Sequence, residues 1–181
     1  IDGNYDKALI DLKKAEESAK YQNRVPIMIA SSYYKQKRHG ELLTYASNYK
    51  DIETASSKLD YLYQIYQLAG EAAFEESRYE ESLEYYGLYR QLAERSITEQ
   101  TLYRIAYSNY ALGNTEPAIE DFKRVALKDD TLSQYASYYL GQLYVGQSNY
   151  LFATSAFDKA SKLEFNKAIQ EESAFNVAKV N

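Results

Sequence analysis

Few residues in this chain have a type and spacing suited to chemistry. The only histidine, His39, stands in a basic turn, Lys35-Gln36-Lys37-Arg38-His39-Gly40. A histidine there could sense pH, but a lone turn histidine beside cations reads as a solvated surface group. With this one histidine and no cysteine, no Ser-His-Asp or Cys-His set is expected, and without cysteine no thiolate metal site or disulfide frame is available. Carboxylates come in pairs: Glu16-Glu17, Glu75-Glu76, Glu80-Glu81 and Glu171-Glu172. Paired carboxylates can do acid–base work or hold a hard cation. Sequence neighbours do not face each other on a helix, however, and these pairs fall at helix ends or on polar faces. Asp129-Asp130-Thr131 has the composition of a helix N-terminal cap rather than a calcium loop. The seven glycines are scattered, with no phosphate-cradling run. The expectation is a chain with no catalytic residues, no metal ligands and no cofactor. The basic turn could touch an acidic partner, although plain surface charge is the simpler reading.

Composition says which elements must carry such a surface. Hydrophobic residues make up 45% of 181 residues and charged ones 26%, enough to bury a core. Two prolines and seven glycines are few, which favours long helices over a loop-rich β fold. The net charge of −5 offers no basic stripe for a phosphate backbone, so nucleic acid is not expected as a partner. No apolar run approaches the roughly 18 residues that span a bilayer, so this segment is not expected to insert in a membrane. The chain starts at Ile1 rather than Met, and the compartment stays open between cytoplasm and cell envelope. Twenty-one tyrosines beside no tryptophan form the one compositional excess. An apolar ring with a polar tip suits half-buried helix faces and binding surfaces alike.

An internal repeat organises the chain. A small residue is followed twelve positions later by another small or apolar one at Ser31 and Leu43, Gly70 and Ser82, Ala106 and Ala118, and Gly141 and Ala153. Successive first members lie 39, 36 and 35 residues apart, and Ala178 follows Gly141 by 37. From the second small residue, bulky groups recur four and seven positions on: Tyr86 and Tyr89, Phe122 and Val125, Phe157 and Ala160, which is one face of a helix. Three residues before it stands Tyr79, Thr115 or Tyr150, after turn formers such as Gly113-Asn114 and Ser148-Asn149. Small residues let two helix backbones approach, and aromatic rings fill the space beside them. Gly141 and Ala153 are the expected contact, with Tyr144, Tyr150 and Phe157 as filler. The Ser31 unit is degenerate, with Ser47 and Lys50 where bulky residues belong; moving its second helix by one residue gives Leu42, Ala46 and Tyr49.

The chain resembles the tetratricopeptide repeat family. Leu140-Gly141, Tyr144, Tyr150, Ala153, Phe157 and Ala160 reproduce that family's pattern, the units around Gly70 and Ala106 follow it, and its tryptophan and inter-unit proline are missing. The resemblance implies an all-α fold, a right-handed α-solenoid of antiparallel helix pairs with about ten helices and no sheet. It spans residues 1–181 as a single array: a half unit at 1–22, units at about 23–56, 57–95, 96–130 and 131–165, and a half unit at 166–181. Gly3-Asn4-Tyr5 with Ala8, Leu12 and Ala15 reads as a second helix without its first, and Glu171 to Val180 as a first helix without its second. Neither end has the polar cap of a finished solenoid, so the expectation is a piece of a longer array whose open ends could associate with other copies. About four extra residues near 51–57 predict a lengthened helix or short loop.

In that family the first helices line a concave groove that grips peptides or partner helices. The corresponding residues here are Tyr103, Tyr107 and Tyr110; Tyr135, Tyr138 and Gln142, with Val145; and Gln64, Gln67, Glu71 and Phe74. Rigid amphipathic rings with hydrogen-bonding rims suit a protein or peptide partner. No Lys/Arg clamp for a terminal carboxylate is present. The competing expectation is that rings such as Tyr107 and Tyr135 pack on the next helix as filler. The resemblance thus implies a protein–protein interaction scaffold and not an enzyme. Its rivals are a structural spacer in a bacterial envelope complex, since Ala136-Ser137-Tyr138-Tyr139-Leu140-Gly141 is similar to periplasmic members of the family, and a glycan-binding aromatic surface.

Overall fold

The computed structural model describes residues 5–18, 20–21, 23–50, 61–92 and 97–180. Among these the chain forms ten α-helices and no strand, the all-α class expected. They are α1 (Tyr5–Glu16), α2 (Val25–Lys35), α3 (His39–Ser47), α4 (Leu62–Glu75), α5 (Tyr79–Leu92), α6 (Glu99–Ala111), α7 (Thr115–Val125), α8 (Thr131–Gly146), α9 (Tyr150–Lys162) and α10 (Lys167–Val180). The helices fall into two compact units, Ile1–Ser96 with α1–α5 and Ile97–Asn181 with α6–α10. Within each unit packing is serial: α2 lies on α3, α4 on α5, α6 on α7 and α8 on α9, and each second helix also meets the next first helix of its unit. This nearest-neighbour order defines a helical repeat protein. The extra residues near 51–57 lie outside the described residues.

Four turns with one hydrogen-bond pattern join the pairs. Lys37, Ser77, Gly113 and Ser148 all adopt positive φ, between 56° and 75°. In each turn that residue's N–H donates to the carbonyl three residues back, and the next N–H donates five back, as in Ser148 to Val145 (2.9 Å) and Asn149 to Tyr144 (2.8 Å). This Schellman arrangement satisfies carbonyls that a helix end leaves open. The second helix begins two residues later, at His39, Tyr79, Thr115 or Tyr150. At the other boundary Asp130 caps α8, accepting from the Ser133 N–H at 2.8 Å, as the sequence led us to expect.

These turns correct the register of the degenerate unit. The left-handed residue falls seven positions after Gly70, Ala106 and Gly141, and Lys37 falls seven after Ala30, not Ser31. Burial agrees: Val25, Pro26, Ile29, Ala30 and Tyr33 are buried while Ser31 is half-buried. Ala30 is therefore the small residue, and Leu42, Ala46 and Tyr49 follow it at the offsets of the other units. Leu42 and Ala46 are buried and Ser47 is exposed.

The tightest approach in two pairs is a glycine against a ring. A Cβ on Gly141 would lie 2.5 Å from Phe157, and one on Gly70 would lie 2.8 Å from Tyr86. Ser82 on α5 donates across the crossing to the Gly70 carbonyl at 2.9 Å. Phe157, Tyr86, Ala153 and Tyr144 are buried around these contacts. Tyr150 departs from its expected filler role, being 54% exposed at the outer edge of the turn. α10 turns Ser173 inward, and Ile169, Val177 and Val180 pack on the second unit's core, while Ala178 on another face is exposed.

Two stability series check this account. Gly141→Leu should cost roughly 3 kcal/mol or more and Gly141→Ala about 1–3 kcal/mol by overpacking. Gly87→Ala on α5, where a Cβ meets nothing within 4 Å, should be neutral or gain roughly 0.5 kcal/mol. Equal melting of the Gly141 and Gly87 alanine variants would refute the close crossing. Ser148→Gly should gain about 0.5–1 kcal/mol by relieving left-handed strain, and Gly113→Ala should lose about 1 kcal/mol. Denaturant unfolding of both variants reads this directly.

Candidate partner-binding face

The tyrosines singled out on the first helices of the second unit are brought together by helical spacing. Tyr103, Tyr107 and Tyr110 lie at i, i+4 and i+7 on α6, and Tyr135, Tyr138 and Gln142 at the same intervals, within a residue, on α8. Tyr103 and Tyr107 rings stack with centroids 6.3 Å apart, and Tyr103 meets Tyr135 edge-on at 6.4 Å. Tyr139, which the sequence reading did not assign to the site, is the hub. Its ring lies 5.2 Å from Tyr107, 4.9 Å from Tyr110, 5.4 Å from Tyr138 and 5.6 Å from Phe122. Tyr103, Tyr107 and Tyr110 are half-buried against the core, and Tyr135 is half-buried beside Tyr103. Tyr138, at 7% exposure, is buried. Val145, one turn on, is exposed.

The polar tips are engaged internally. Tyr110 donates to Gln142 Oε1, Gln142 Nε2 donates to the Tyr138 hydroxyl at 2.6 Å, and Tyr138 donates to Glu172 Oε1. This relay runs across α6, α8 and α10. The Tyr135 hydroxyl accepts from Asn166 Nδ2 at 2.6 Å, and Asn166 Oδ1 also caps α10 through the Ile169 N–H. Below it Gln134 is buried. Its amide donates to the carbonyls of Ala160, Leu163 and Asn166, and its oxygen accepts from the Asn166 N–H. Gln142, proposed from sequence as a rim for a partner, is thus committed to its own neighbours. Glu172 and Gln134 were not foreseen, because nothing in a one-dimensional pattern says that α10 and the α9–α10 turn lie against α8.

Removal from water sets the phenol chemistry. Burial, followed by the hydrogen bond to Glu172, pushes Tyr138 up to about 12. Burial likewise raises Tyr103 and Tyr139, each further disfavoured as an anion by neighbouring phenols. These rings stay neutral at ordinary pH.

In the first unit, Gln64, Gln67, Glu71 and Phe74 lie along α4, all half-buried. Gln67 donates to Glu71 at 3.2 Å, Gln64 donates to the Tyr63 hydroxyl at 3.1 Å, and Phe74 meets Tyr79 edge-on at 5.9 Å. His39 is where the structure departs most from expectation. It is 6% exposed, not solvated, with Nδ1 2.7 Å from Glu76 and Nε2 3.5 Å from Glu75. Tyr34 stacks on it at 5.8 Å and donates to Glu75 at 2.7 Å. In the corrected register His39 takes the position that Tyr79 and Tyr150 hold in their units, and its burial comes from the neighbours particular to it: Tyr34 on its ring and the carboxylates of Glu75 and Glu76 from the following pair.

No known family model matches the chain, and no curated protein is significantly similar to it. No helix among the described residues is long and apolar enough to cross a membrane.

Alkaline unfolding tests the buried phenols. A raised folded-state value favours the neutral ring, so the stability it confers is full below 10.0 and is lost as pH climbs toward about 12. Unfolding free energy should therefore fall across that window, and Tyr138→Phe should flatten the fall while lowering neutral-pH stability by about 1 kcal/mol. An unchanged slope would place the Tyr138 hydroxyl in water. Tyr138→Ala should cost about 3 kcal/mol. The burial of Tyr138 therefore rules out using its truncation as a stability-neutral probe of the surface.

Proposed function

We propose that this chain is a tetratricopeptide-type repeat array acting as a protein-interaction scaffold, with an extended peptide or partner helix lying along its first helices. The observation that carries the reading is the row of half-buried rings Tyr103, Tyr107, Tyr110 and Tyr135 on α6 and α8. Four identical turns and the small-residue crossings support the repeat type on which it rests. Rings already ordered by stacking lose little further freedom when a partner covers them, so their remaining surface is favourable to bury. Glu172 stands at one end of this face, bonded to Tyr138, which suits a neutral or mildly basic peptide.

A second reading, a rigid spacer within a larger assembly, is favoured by one observation: the relay from Tyr110 through Gln142 and Tyr138 to Glu172 commits the polar groups to inter-helix ties. Affinity capture separates the two readings. Wild type, Tyr107→Lys on the face and Leu127→Lys at an exposed position elsewhere would be compared, with melting curves confirming the fold of each. A protein kept by wild type and Leu127→Lys but lost by Tyr107→Lys is the expected result. Equal capture by all three would move the interface off this face, and capture of nothing would favour the spacer.

A further inference from the structure

On the second-helix side of the second unit, α7 and the α8–α9 turn border an open groove of about 360 Å³. Ile119 and Tyr144, both buried, form its floor, and Phe152, 54% exposed, forms one wall. The Tyr144 and Phe152 rings lie 5.4 Å apart, tilted by 32°. Glu116 and Glu120, one turn apart on α7, line the other side. Both are exposed, and no described residue engages either carboxylate. Lys123, the one cation in the groove's lining, has Nζ 5.8 Å from the centroid of Tyr144.

We propose that this groove docks an arginine-bearing, basic peptide segment of a partner protein. Charge complementarity is the first argument. Like charges at i, i+4 on a helix repel one another, and a cation held between Glu116 and Glu120 relieves that repulsion while forming charge-assisted hydrogen bonds. The aromatic wall is the second. A ring face attracts a cation through its quadrupole, as Lys123 over Tyr144 illustrates inside the chain, and the half-exposed Phe152 ring offers a further face. Arginine fits better than lysine. Its flat, weakly hydrated guanidinium can stack on a ring while its N–H fork points at carboxylates, whereas an ammonium must keep more of its water. Size is the third argument. The volume lies at the low end of ligand sites, ~300–1,000 Å³, enough for one long side chain and the adjoining backbone. The net charge of −5 would steer a basic segment toward the chain. None of these residues belongs to the tyrosine row, so this site stands or falls independently of the function proposed above.

The test is a magnetic-resonance titration of the labelled protein with an acetylated glycine–serine decapeptide carrying two arginines. Matched peptides carry citrulline or lysine instead. The arginine peptide should shift the Ile119 methyl and Phe152 ring resonances saturably. Glu116→Gln combined with Glu120→Gln should weaken it at least about tenfold, the scale of a lost charge-assisted bond. The citrulline peptide should be similarly weak. Phe152→Leu should keep the apolar wall but abolish the preference for arginine over lysine. All three positions are exposed, so melting should not change, and a double glutamine variant that melts early would be replaced by Glu120→Gln alone. Equal response to citrulline, undiminished binding by the double glutamine variant, shifts scattered over other acidic surface, or no saturable shift at these two residues would each overturn the proposal.

Discussion

Each helix pair has to bring two backbones close enough that a side chain on one helix fills the space beside the other, and the rest of the architecture follows from that crossing. Where Gly141 faces Phe157 and Gly70 faces Tyr86, there is no room for even a methyl group. Such a crossing fixes which residues of the first helix point to its own partner and which point to the next pair. In the degenerate unit the corresponding positions are Ala30 and Ala46, both fully buried: the ring is lost from the second helix, and an alanine replaces the glycine on the first. The constraint is therefore on combined volume at the crossing more than on residue identity, as close-packed interiors require.

Between the crossings, tyrosine does a job that leucine or phenylalanine could not. Tyr85 donates to the Leu43 carbonyl at 3.1 Å and Tyr66 to the Tyr49 carbonyl at 2.7 Å, tying successive pairs of the first unit to one another. Glu16 accepts from both Tyr45 and Tyr49, joining α3 to α1. In the second unit the relay through Tyr110, Gln142, Tyr138 and Glu172 does the same. Serial packing buries only a thin layer at each step, so the hydroxyls of rings such as Tyr66 and Tyr85 reach the backbone of the neighbouring pair. A phenol buries its apolar body and still satisfies a polar neighbour there. The 21 tyrosines are in this sense a consequence of the repeat, and their abundance alone says little about a ligand.

What could be read from the sequence follows from which interactions are local. The twelve-residue offset of small residues and the aromatic four positions later are properties of one helix pair, and they located the crossings at Gly70, Ala106 and Gly141. The register at Ala30 was missed because Ala30 and Ser31 are both small and adjacent, so spacing could not separate them. The left-handed residue that would have decided it is Lys37, and of the four equivalent positions only Gly113 carries the residue type that advertises positive φ. His39 was misjudged partly by the same single-residue slip, which hides that it opens the second helix, and partly because its burial depends on Tyr34 and on Glu75 and Glu76 of the following pair. The engagement of Tyr138 and of Gln142 was not legible at all, because the first depends on Glu172 on α10 and the second on Tyr110 on α6, each more than thirty residues away in the chain. A periodic pattern marks a face as apolar, but whether the neighbouring helix or a partner covers that face is decided by tertiary packing.

That distinction bears on how such a surface can recognise anything. When the hydroxyls and the amide of a first-helix face are already paired with one another, a partner cannot gain specificity by hydrogen-bonding them without first breaking inter-helix ties, which would leave buried polar groups unsatisfied. What the face can offer at no internal cost is the outer surface of its half-buried rings, which discriminates by shape more than by polar matching. The α7–α9 groove is built the other way round. Its floor of Ile119 and Tyr144 is fixed by the core, while Glu116, Glu120 and Phe152 at its rim are exposed and no described residue engages the two carboxylates. Directional, charge-selective recognition belongs physically at such a rim, where polar groups can be matched without dismantling the packing beneath them.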